Sequence, residues 1–133
     1  MNAAMEAFAQ RITDPITFDD LVAMIRAEPS ATLRRSFVIH IARLHHEVVT
    51  DNQLVALGAM FEGKVPAYIA GALIVRRLRR DPRDPSAIRD ALASPHAFVH
   101  RQLLASPLTA EQRAQLTLGR ASGSARSPDR SSR

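Results

Sequence analysis

Five arginines crowd the twelve residues IVRRLRRDPRDP, Ile74 to Pro85, and they are the first place in the chain to look for chemistry. Guanidinium groups pair well with phosphate, so Arg76, Arg77, Arg79, Arg80 and Arg83 form a candidate phosphate-binding set for a nucleic acid. Two features oppose that reading. Asp81 and Asp84 sit inside the cluster, and no aromatic side chain is interleaved to stack on single-stranded bases. The same stretch also has a structural reason to exist. Arginines in a last helical turn complement the negative end of the helix dipole, while Asp81-Pro82 ends one helix and Asp84-Pro85 begins another. Arg83 is the one arginine that neither helix requires.

The five histidines raise metal and acid–base chemistry. His96 and His100 are four apart, a spacing that places two imidazoles on one helix face, but no third ligand follows at a recognisable distance. No metal site is expected. HIARLHHE presents His40, Arg43 and Glu47 as a polar stripe at i, i+3 and i+7. With Tyr68 and Arg76 these are the candidate contacts for a protein partner, against the plainer reading of a solvated face with an Arg43–Glu47 pair. Asp19 and Asp20 are adjacent and point apart on a helix. Gly58, Gly63 and Gly71 are too scattered to cradle a phosphate. Neither catalysis nor a cofactor is expected.

Composition sets the frame for these residues. The chain of 133 residues has one domain's worth of length, 46% hydrophobic residues and only 5% aromatic ones, which favours close-packed helices. It has no cysteine, which removes disulfides and thiolate ligands and fits a reducing cytoplasm. No apolar run has the length of a membrane span, and the opening MNAAMEAFAQRI lacks the basic start of a secretion signal. The formal charge of +5 is concentrated at one end. GRASGSARSPDRSSR, 119–133, carries four Arg against one Asp and no hydrophobic periodicity, so a disordered tail is expected after a folded domain at 1–118.

Helix starts are marked by Thr17, Thr50 with Gln53, Pro66, Asp84-Pro85, Ser94-Pro95 and Thr109 with Gln112. They predict eight helices, near 2–12, 17–27, 30–49, 52–62, 65–80, 85–93, 95–105 and 109–117, and no strand. Leu33, Phe37, Ile41, Leu44 and Val48 form an apolar stripe, and Ile69, Ala72 and Leu73 another, so helices 30–49 and 65–80 are the expected core. Met5, Phe8, Ala9 and Ile12 give helix 2–12 one apolar face, suited to capping the N-terminal end of a stack. Three first helices open near Thr17, Asp51 and Pro85, about 34 residues apart, the spacing of a helical-repeat unit. AEPSATLRRSFV, 27–38, also aligns with ASPHAFVHRQLL, 93–104: Pro29 with Pro95, Ala31 with Ala97, Arg35 with Arg101.

LASPHAFVHRQLLASPLTAEQRAQL, Leu92 to Leu116, resembles the HEAT-like and leucine-rich-repeat-variant class of helical repeats. A small residue and Pro, a short gap, apolar positions and a further proline turn carry the likeness, with His100 standing where that pattern has Arg. The middle unit is similar in part to tetratricopeptide repeats through Leu54, Leu57, Gly58, Phe61, Ala70 and Pro82. The resemblance implies an all-α, right-handed stack of about three helical hairpins, a HEAT-like short solenoid that binds rather than reacts. The expected function is a small non-enzymatic protein-interaction module. The alternative is a nucleic-acid-associated protein that uses Arg76–Arg83 and the basic tail.

Overall fold

A computed structural model describes the backbone of residues 2–125 and the side chains of residues 2–118. Its regular structure is helical: α1 Ala3–Arg11, α2 Phe18–Ala27, α3 Ala31–Leu44, α4 Asp51–Ala59, α5 Val65–Arg80, α6 Pro85–Ala93, α7 Ala97–Leu103 and α8 Ala110–Ala125, with a 3-10 turn at His46–Val48. Among the described residues there is no strand. The eight helices correspond in order to the eight expected, with start signals at Thr17, Thr50, Asp84 and Thr109 in place. α8 continues to Ala125, past the expected helix end at 117 and the expected domain end at 118, and of the expected disordered tail at 119–133, residues 126–133 lie outside the described residues.

Side-chain caps set the helix starts. Thr17 Oγ1 accepts the Asp20 N–H, and Asp84 Oδ1 accepts the Ser86 and Ala87 N–H groups ahead of Pro85. Thr50 and Gln53 form a reciprocal capping box, as do Thr109 and Gln112. The structure corrects one start. Ser94 is the C-cap of α6 and not the N-cap of α7, which begins after His96. Asn2 and Ser30 cap α1 and α3.

It also corrects the long helix expected over 30–49. α3 stops at Leu44, His45 leaves the helical region (φ −139°, ψ 32°), and residues 46–48 form the separate turn that buries His46. The β-branched pair Val48-Val49 and the cap at Thr50 favour extended backbone here, which ends the helix. Leu44, the last residue of α3, stands 53% exposed.

The chain divides into two compact units, Met1–Leu73 and Ile74–Arg133, with the boundary inside α5. In the first unit α3 packs against α1, α2 and α4. Phe8 of α1 stacks face to face on Phe37 of α3, ring centroids 4.2 Å apart. Ile12, Leu21, Ile25, Val38, Ile41, Leu54, Leu57, Val65 and Ile69 complete a core that is buried throughout. Gly58 lets α4 lie close to α5, since a Cβ there would stand 3.1 Å from Ile69 Cγ1. In the second unit α6 packs against α7 and α8. Ile88, Phe98, Val99, Leu103 and Leu116 are buried there.

The aligned segments take closely similar turns. Glu28 and Ser94 both end a helix in extended backbone (φ −74°, ψ 120° and φ −71°, ψ 142°), and Ser30 and His96 both precede the next one (φ −83°, ψ 120° and φ −93°, ψ 129°). In each turn the side chain before the proline accepts the N–H after it: Glu28 Oε2 from Ser30 (2.9 Å), Ser94 Oγ from His96 (3.2 Å).

Candidate functional site

The C-terminal end of α3 and the turn that follows it carry three of the side chains singled out by the sequence. Arg43 and Glu47 are exposed, with exposed Leu44 next to Arg43. They do not form the expected helical stripe, because α3 ends between Arg43 and Glu47 and no i,i+4 relation survives the break. Glu47 instead lies 3.8 Å from Nδ1 of His45, an ion pair whenever that imidazole is protonated.

His40 turns inward from this edge. Its ring meets Phe8 edge-on with centroids 6.4 Å apart, and His45 with centroids 5.1 Å apart. Its Nε2 is buried without a hydrogen-bond partner. Desolvation holds the His40 pKa below the ordinary histidine value, and the charges of His45 and Arg43 add to that. His40 is thus half-buried, its ring set against Phe8 and His45. Tyr68, on α5, is half-buried against the core of the first unit. Arg76 is half-buried in the second unit. Of the five candidate contacts, only Arg43 and Glu47 are exposed, one on each side of the break at His45.

The arginine cluster is partly committed to structure. Arg77 donates from Nη1 to Asp90 Oδ2 (2.8 Å) and from Nη2 to Ser86 Oγ (2.9 Å), tying the end of α5 to α6. Arg79 donates from Nε to Gln102 Oε1 of α7 (3.1 Å). Arg80 and Arg83 are exposed. Arg83 lines a cleft of about 500 Å³ with Asp81 and Ser106, and Ser106 Oγ is buried there without a hydrogen-bond partner. His96 precedes α7, His100 lies within it, and both are half-buried. Among the described residues no three His, Asp or Glu side chains gather into a set able to hold a metal ion.

Two groups were not singled out by the sequence pattern. Leu44 belongs by its periodicity to the core, yet as the last residue of α3 it stands exposed. Arg35 and Lys64, thirty residues apart in sequence, line one cleft of about 480 Å³ in the first unit. One signal for the second group was present, since Lys64 is the only lysine in the chain and follows Gly63 before a proline-marked helix start. Comparison with protein-family models, curated proteins and solved structures gave no match for this chain.

Proposed function

We propose that this chain is a small non-enzymatic protein-interaction module built from helical-hairpin repeats, with the right-handed, HEAT-like stack expected from its sequence. The shared turn geometry at 28–30 and 94–96 supports the repeat, as do side-chain caps at Thr17, Thr50 and Asp84, 33 and 34 residues apart. The observation that carries the interaction reading is Leu44, a large apolar side chain 53% exposed beside exposed Arg43, with exposed Glu47 three residues on. An apolar centre with a polar rim is the composition of a protein-binding patch.

The test is affinity capture with the full chain and with an R43E/L44D/E47K variant, after nuclease treatment. The proposal expects a protein partner that survives nuclease and is lost with the variant. A partner retained equally by both chains would overturn the assignment of this edge. The nucleic-acid reading draws its support from exposed Arg80 and Arg83. It expects binding that falls steeply with salt and weakens with R83A; no binding at low salt would end it.

A further inference from the structure

The geometry points to a phosphate-binding cleft in the first unit, formed by the start of α3 and the connector before α5, with Arg35 and Lys64 as its cations. The inference does not rest on the protein-interaction reading, because none of its residues belongs to the Arg43–Leu44–Glu47 edge.

Thr32, Arg35 and Ser36 line one wall, and Glu62, Gly63 and Lys64 another, around about 480 Å³, room enough for a phosphate with part of what bears it. The neighbouring Arg34 is committed elsewhere. Its Nη1 donates to the Glu28 and Pro29 carbonyls (2.6 and 3.1 Å) and holds the α2–α3 turn. Arg35 is exposed, and its one side-chain hydrogen bond is a long one, from Nη2 to Thr32 Oγ1 at 3.4 Å. Among the described residues neither Arg35 nor Lys64 forms an ion pair, so two cations without a salt bridge line one concavity.

The hydroxyls of Thr32 and Ser36 add donors that suit phosphate oxygens. The backbone contributes as well. Gly63 takes positive φ (80°), and the N–H groups of Gly63 and Lys64 donate to no acceptor among the described residues. Glu62 also lines the cleft and opposes an anion, leaving the lining with a net charge of +1, which favours a group of more than one charge. A phosphate dianion carries two charges; chloride carries one. The chemistry is shared by free phosphate and by a phosphomonoester on a larger ligand.

Because Lys64 is the only lysine, amine acetylation followed by mass spectrometry reads this cleft directly, with the α-amino group of the chain as internal reference. Inorganic phosphate or glycerol phosphate should slow Lys64 acetylation severalfold and leave the α-amine rate unchanged. Chloride at equal ionic strength should change neither rate. Stronger protection by inorganic phosphate identifies the free anion as the ligand, and stronger protection by glycerol phosphate identifies the ester. R35Q should weaken phosphate about tenfold, the loss typical of one charge-assisted contact. E62Q should tighten it, and R83Q should have no effect. The assignment is overturned if chloride protects as well as phosphate, if R35Q leaves protection intact, or if R83Q removes it.

Discussion

Arg77 and Arg83 have the same side chain six residues apart, yet the structure gives them different physical roles. Arg77 bridges Asp90 and Ser86 at 2.8 and 2.9 Å, with its side chain 33% exposed and that of Asp90 44% exposed. Partial exposure screens such a pair, so R77A should cost about 1 kcal/mol in chemical denaturation, while R83A should stay within about 0.5 kcal/mol of the parent. Equal effects would refute the distinction. His40 predicts a pH dependence of known sign. Its folded pKa lies below the unfolded value near 6.5, so the folded state binds the proton more weakly. Its favourable contribution is complete above pH 6.5 and is lost as pH falls through the lowered folded value. Denaturation midpoints between pH 7.5 and 5 should therefore fall on acidification, and less steeply in H40Q than in the parent. None of this partnering was legible from the sequence, because Arg77 and Asp90 are thirteen residues apart and a run of arginines looks uniform until each finds its neighbour.

At the scale of single elements, starts were far more legible than ends. Thr50 with Gln53 and Asp84 with Pro85 act through atoms two or three residues away, so local sequence determines them. The C-terminus of α3 was misplaced because the apolar period runs on through Leu44 and Val48, and only the burial of His46 and the turn after His45 interrupt it. Ser94 was misassigned because Ser-Pro reads equally well as a cap with proline or as the turn that precedes a helix. Removal of the caps in S30A and T50A should each cost about 1 kcal/mol in thermal or chemical denaturation. G58L should cost more than either, since its side chain would enter the space Ile69 occupies, 3.1 Å from the nearest Cβ position. A G58L protein as stable as the parent would contradict the close α4–α5 approach.

For the molecule as a whole, composition and periodicity were enough to give an all-helical chain and its principal core residues. Phe37 and Ile41 on α3 and Ile69 and Ala72 on α5 are buried as expected. Ile41 is fully buried and Leu73 only partly so, which ranks two charge substitutions that the sequence alone treats as equal. I41D should abolish cooperative unfolding of the chain, and L73D should leave a folded protein with a lowered midpoint. The surface was less legible, because which apolar residue escapes the core depends on where a helix breaks. Leu44 is the case that matters, since it supplies the apolar centre between Arg43 and Glu47 on which the interaction reading rests. The most direct measurement is capture of a partner by the parent and by R43E/L44D/E47K, both nuclease-treated and both verified as folded by circular dichroism. A protein bound by the parent and released by the variant is the expected outcome; the same partner held by both chains, or a bound species that disappears with nuclease, would contradict it.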